Sequence, residues 1–175
     1  MEPEIIDKPK INLVGMSFYG DPFDTCSIWD EENEIGRVWS RFMTYYGDNK
    51  DQILHITDPG AAFEVHIYNP ETTSLGFFEV FVGLQVDQIE YVPVELLVKT
   101  LPSTKYAVFT FQGEEISTDW VMQIDGWIKD AGYQRAHPFS FQYLDHRFKG
   151  VDQLADSELD VYMPVKEIDS DLHFD

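Results

Sequence analysis

Glu79 stands between Phe77 and Phe81 in a run whose spacing puts all three side chains on one face. In FFEVFVGLQV (77–86), period-two alternation separates Phe78, Val80, Val82, Leu84 and Val86 from Phe77, Glu79, Phe81, Gly83 and Gln85. The first set is a core face. The second mixes rings, a carboxylate, an amide and a gap, which suits the wall of a ligand groove. Glu79 is there a candidate counter-ion, and each ring can add a cation–π attraction of about 0.5–2 kcal/mol. A second polar row lies in AFEVHIY (62–68), where Glu64, His66 and Tyr68 share one face and Phe63, Val65 and Ile67 the other. Strand neighbours at i and i+2 supply only two metal ligands, and His55, His137, His146 and His173 show no metal spacing, so neither metal nor cofactor is expected. Ser117 belongs to no nucleophile motif, and Cys26 sits in an acidic loop that disfavours a reactive thiolate.

Positioning these groups falls to an α+β scaffold. INLVGMSF (11–18) reads as a buried strand after a charged lead, and residues 21–34 as an acidic loop carrying Trp29. Ile35, Val38, Trp39, Phe42 and Tyr46 recur at helical spacing, with Gly47 as the expected left-handed terminator. Residues 94–101 and 105–112 read as strands around a Leu101-Pro102-Ser103-Thr104 turn. Trp120, Ile124, Trp127, Ile128 and Ala131 form a second helical stripe, with Ser117 or Thr118 as N-cap and Gly132 as terminator. Strands over 139–144 and 159–165 complete the pattern. Trp39 and Trp127 read as core residues of their stripes, with the Trp39 indole also a candidate ligand contact.

Strand, helix, strand, strand thus occurs twice, with an extra strand near the middle. The reading is one domain of two βαββ halves, about 9–90 and 91–166, meeting in sequence near Val86 to Glu95. Such halves pair into an antiparallel sheet with two main helices on one side and a ligand cleft at the pseudo-twofold junction. Residues 167–175 are expected to form a flexible tail.

The 175 residues carry 32 acids against 12 bases, a formal charge of −20. No cluster of Lys and Arg exists to meet a phosphate backbone, so neither direct nucleic-acid binding nor docking to anionic lipid is expected. An acidic field favours cations, although most of these carboxylates read as solvated surface. A single cysteine leaves no disulfide framework, and no apolar run approaches the roughly 18 residues of a membrane span. The start Met1-Glu2-Pro3-Glu4 lacks the basic and apolar regions of a signal peptide. The expected location is cytoplasmic; the oligomeric state is left open.

Five segments in order resemble the GyrI-like, or AraC-type, effector-binding domain, over roughly Pro9 to Lys166. They are RVWSRFM (37–43), GLQVDQIEYVPVELLVKTLPSTKYAVFTFQG (83–113), DGWIKDAGY (125–133), FQYLDHRF (141–148) and SELDVYMPV (157–165). The resemblance implies the same duplicated topology and a domain that mostly binds small molecules and catalyses nothing. Family members act as C-terminal effector sensors of multidrug-responsive activators or stand alone. With no room for a DNA-reading domain before Ile11 or after Lys166, this chain resembles the stand-alone form. In cation-sensing members, a glutamate at the pocket base lies where this chain has Gln142, and another in a Gly-x-Glu segment where it has Gln85. Both are neutral here, which leaves Glu79 and Glu64 as the nearest carboxylates by strand parity that could compensate. Tyr162 is similar in position to a pocket tyrosine of the family's closing strand.

Trp39, Tyr68, Glu79, Phe81, Gln142 and Tyr162 are therefore the expected ligand contacts. The expected function is binding of a drug-like small molecule, lipophilic and cationic or aromatic, in sensing or sequestration. Two alternatives stand beside it. One is a hydrolase of strained or electrophilic small molecules that uses a pocket glutamate. The other is an acidic interaction module that binds a regulator or a topoisomerase.

Overall fold

Strands form where the alternating runs lie, and helices where the 3.6-residue stripes lie. A computed structural model describes residues 2–23 and 33–168; Cys26, Trp29 and residues 169–175 of the expected tail lie outside them. The elements run β1 (Glu4–Lys8), β2 (Ile11–Gly20), α1 (Glu34–Asp48), β3 (Ala62–Ile67), β4 (Phe78–Val86), β5 (Leu97–Leu101), β6 (Thr104–Gln112), α2 (Trp120–Asp130), β7 (Tyr133–Arg135), β8 (Phe139–Leu144) and β9 (Glu158–Glu167). The fold is α+β. Its antiparallel sheet has the order β1-β6-β9-β8-β3-β4-β2-β5, with β7 also paired to β9. Among the described residues no helix is long and apolar enough to cross a membrane.

Several local expectations are corrected. Gly47 lies inside α1, which closes two residues later when the Asn49 N–H reaches the Tyr45 carbonyl at 2.9 Å. At the other end the Asn33 side chain caps the helix by accepting from the Gly36 N–H at 2.9 Å. Neither Ser117 nor Thr118 starts α2, because residues 113–117 first form a 3-10 turn and the N-cap falls on Asp119. Gly132 does terminate it, at φ 76°. The charged lead contains β1, an edge strand laid along β6, and Glu167 belongs to β9 rather than to a tail. β5 begins only at Leu97, since residues 93–96 turn on a Leu96-to-Pro93 hydrogen bond.

The seam between the two βαββ runs is the pairing of β3 with β8, from Ala62 opposite Leu144 to Ile67 opposite Phe139. Cross-strand partners share a face, so the register Phe109–Val161–Gln142–Glu64–Val82–Met16 follows one face across the sheet. Both helices pack there. α1 buries Ile35, Val38 and Phe42 against Met16, Val80, Val82 and Leu84, and α2 buries Trp120, Ile124 and Ile128 against Phe109, Phe111 and Val161.

The opposite face is concave, as the connections require. Six strand spacings separate β1 from β2, and β6 from β5, along the sheet order; at about 4.8 Å each, a flat sheet would set them roughly 29 Å apart. Yet only Pro9-Lys10 and Pro102-Ser103 join these pairs, a reach of about 10 Å over three Cα steps. The sheet therefore curls until its wings meet, and Ile11, Leu13 and Leu101 share one core with Tyr106, Val108, Phe141 and Tyr162. Gly15 faces Gly83 directly in the β2–β4 pairing. A Cβ on Gly15 would lie 1.9 Å from the Val82 oxygen, and one on Gly83 2.4 Å from the Val14 oxygen, so the strands close here only without side chains. The Phe81 ring covers the gap.

Candidate functional site

At the seam, cross-strand register decides which polar side chains meet. Glu64 lies opposite both Val82 and Gln142, so it projects from the helix-bearing face of the sheet centre. α1 crosses above and turns Trp39 toward the same point. Trp39 Nε1 donates to Glu64 Oε2 at 2.5 Å, Gln142 Nε2 donates to Oε1 at 3.1 Å, and His66 Nε2 lies 2.7 Å from the same Oε1. Glu64 is only 2% exposed. An indole, an amide and an imidazole with its proton on Nε2 thus replace water around the carboxylate charge. The Gln142 nitrogen must face Glu64, since its oxygen there would meet another acceptor. That orientation leaves Gln142 Oε1 buried without a hydrogen-bond partner among the described residues.

Over this floor opens a cleft of about 730 Å³ between α1 and the β8–β9 connection. Ile35, Trp39, Met43 and Tyr46 form one wall, Leu144, Asp145 and Phe148 the other, and Glu64 and Leu84 lie between. The volume falls within the range of small-molecule sites. The two carboxylates in the cleft differ. Burial pushes Asp145 up, but the Arg147 guanidinium, 3.0 Å away, and the Arg147 backbone N–H together hold it below the usual carboxylate range. Arg147 also bonds Asp160, at 2.6 Å, and Glu158. Beside Glu64 stands the His66 imidazole, a cation only when protonated, and among the described residues no Lys or Arg bonds to it.

Of the residues expected at the ligand, the structure brings Trp39 and Gln142 together, at Glu64. Tyr68 follows β3 beyond them: its ring lies 5.5 Å from Phe78, which lies 5.3 Å from His66. Burial pushes the Tyr68 phenol up, and a hydrogen bond to Ser140 draws it back in part.

Glu79, Phe81 and Tyr162 do not join this group, which corrects the expectation of a single cavity. Glu79 pairs with Ile67 and Phe81 with Val65, so both point to the concave face. Phe81 is fully buried there, and Glu79 makes an ion pair with Lys99 at 2.8 Å. Tyr162 stacks on Phe141 at 4.4 Å, under the Lys8 ammonium at 5.1 Å, and its phenol is pushed up to about 12, chiefly by burial. It lines a smaller cavity of about 350 Å³ with Arg147 and Asp160. The supposed groove wall is closed at Phe81 and Gly83, which the curled sheet buries, while Phe77 is exposed and Glu79 partly so. Glu64 carried its own sequence signal, a lone carboxylate between Phe63 and Val65 two residues before a histidine.

Comparison with known proteins gives the same fold. The chain is 27% identical over 168 residues to the transcriptional regulator BrlR of Pseudomonas aeruginosa, covering 94% of this chain and 56% of that protein. It thus spans about half the length of this curated relative. The structure of SAV2435 bound to tetraphenylphosphonium superposes with a TM-score of 0.67 at 19% identity, over 95% of this chain and 94% of the other. A hydrolase encoded by lin2189 from Listeria innocua superposes with a TM-score of 0.55 at 9% identity, over 94% and 92%. A family model described as integron-associated effector-binding protein matches residues 4–165. The chain belongs to this Cass2 family of effector-binding proteins.

Proposed function

We propose that the chain binds a lipophilic, aromatic cation in the cleft between α1 and the β8–β9 connection, with Glu64 as counter-ion, in sensing or sequestration. The observation that carries this reading is the setting of Glu64: a buried carboxylate met by an indole, an amide and an imidazole, with no Lys or Arg on it among the described residues, at the base of an apolar cleft. Such donors solvate a charge without cancelling it, so a cation with an apolar body gains both attraction and burial. Trp39, which lines the cleft, adds its ring face. Gln142 then serves the ligand through Glu64, and Trp39 both through Glu64 and with its ring. The fold shared with tetraphenylphosphonium-bound SAV2435 supports the same ligand class.

Isothermal titration with tetraphenylphosphonium and with rhodamine- or acridine-type dyes tests this. Glu64→Gln is expected to cost about 2 kcal/mol or more of binding, roughly thirtyfold in Kd, with the fold followed by circular dichroism. Equal affinity in a folded Glu64→Gln variant would sink the counter-ion role.

A second reading has one observation behind it, the fold shared with the lin2189 hydrolase. Glu64 would then act as a general base at the cleft floor. Turnover of an electrophilic small molecule by the wild type, lost in Glu64→Gln, would replace binding by catalysis.

A further inference from the structure

Glu64 already has a candidate cation beside it. His66 Nε2 lies 2.7 Å from Glu64 Oε1, and the two side chains are only 12% and 2% exposed. Neutral His66 donates a hydrogen bond and leaves the carboxylate charge intact. Protonated His66 would set a full positive charge at that same distance and cancel it. We propose that His66 is a proton-controlled competitor for Glu64. The cleft then takes a permanent cation while His66 is neutral, and gives way to neutral aromatic ligands once His66 is protonated. This rests on the reading of Glu64 as the ligand's counter-ion.

The surroundings isolate the pair. On β4, His66 faces Val80 and the Phe78 ring, both apolar. On β8, its partner is Ser140, with Gln142 beyond it, both neutral. α1 contributes the uncharged Trp39 indole. Past Tyr68, Asp125 of α2 is matched by Arg135 of β7 at 2.6 Å. At the cleft wall, Asp145 is matched by Arg147, and Lys149 Nζ donates to the His146 carbonyl. The His146 ring is a second imidazole, exposed and 4.0 Å from Asp145. Imidazoles as a class gain a proton between about pH 5 and 8, and of these two the His66 imidazole is the one that touches Glu64.

Linkage fixes the sign. If a cation and one proton exclude each other, the cation's Kd rises as pH falls, by at most about tenfold per pH unit, and binding releases a proton into the medium. Tetraphenylphosphonium is the suitable probe because its own charge does not titrate. Its Kd would be measured by isothermal titration from pH 5 to 8, in buffers of different ionisation enthalpy so that proton release is read directly. Wild type is expected to weaken toward acid and to release protons. His66→Gln, which keeps a donor for Glu64, is expected to bind with a level Kd and no release. His146→Gln is expected to behave as wild type.

A level Kd in wild type, a pH dependence retained in His66→Gln, or one lost in His146→Gln would each overturn the proposal. If His66→Gln fails to fold, His66→Asn, which also offers an amide donor, takes its place in the same comparison. If wild type binds no cation at any pH, the counter-ion reading falls and this proposal with it. Cation binding that is flat with pH removes this proposal alone.

Discussion

Glu64 and Glu79 sit on neighbouring strands of one sheet, both among aromatic rings, and differ in what balances their charge. Glu79 faces the concave side, where Lys99 meets it with a full opposite charge at 2.8 Å. Glu64 faces the helices, where an indole, an amide and an imidazole surround it. A Lys–Glu pair is complete and has little left to offer a ligand. A carboxylate held by dipoles keeps its net charge and keeps attracting cations. Position in the register thus decides the partners of each carboxylate more than residue type, since both are glutamates flanked by apolar neighbours. The curl of the sheet is what buries one face as core and leaves a cleft on the other.

The strongest way to break this contrast is to part β2 from β4, the strand that carries Glu79. Gly15→Ala places a Cβ 1.9 Å from the Val82 oxygen, and this contact is backbone, which cannot rotate away. β2 must separate from β4, and the Phe81 packing that covers the paired glycines goes with it. The expected loss is at least about 3 kcal/mol, or a fall in Tm of about 10 °C for a domain of this size. Thermal unfolding checks it. A Gly15→Ala variant as stable as wild type would mean that β2 and β4 can close with a side chain between them.

A smaller effect sharpens the Glu64 side. Trp39→Phe keeps a ring in the α1 stripe but removes the donor to Glu64 Oε2. Hydrogen bonds to charged groups contribute about 1.5–3 kcal/mol, so urea unfolding should show a loss of about 2 kcal/mol. Since Trp39 is only partly buried in its core cluster, loss of packing alone would cost less. An unchanged midpoint would show that the indole N–H does not help to hold the carboxylate.

Much of this arrangement is legible in the chain. Alternation in 62–68 puts Glu64 and His66 on one face, and the spacing of Ile35, Val38, Trp39 and Phe42 puts the indole on the α1 stripe. What alternation cannot carry is which strands become neighbours. Glu64 meets Gln142 across 78 residues of sequence, and that pairing fixes which glutamate shares a face with the helices. The curl was equally hidden, although the two-residue links Pro9-Lys10 and Pro102-Ser103 encode it once the strand order is known. Before that order is known, Phe77, Glu79 and Phe81 read as a groove wall. β1 shows no strand pattern because three of its five residues, EIIDK, are charged, as suits a sheet edge. β7, three residues long, is too short for any period to show.

The smallest expected effect is the most discriminating between the two faces. Glu79→Gln removes one partner of an ion pair whose side chains are partly open to water, 29% for Lys99 and 18% for Glu79. Water can take over the Lys99 ammonium, so the loss of stability should be no more than about 1 kcal/mol, and salt should shrink it further. Affinity for tetraphenylphosphonium should not change, because Glu79 lies on the other side of the sheet from the cleft and its charge is matched before any ligand arrives. The comparison with Glu64→Gln is therefore made in one assay, with the same probe and the same chemical change on two carboxylates. Equal losses of affinity would mean that the protein responds to its overall acidic field and not to a site. A large loss at Glu64 with none at Glu79 would assign the attraction to the buried, uncancelled charge at the β3–β8 seam.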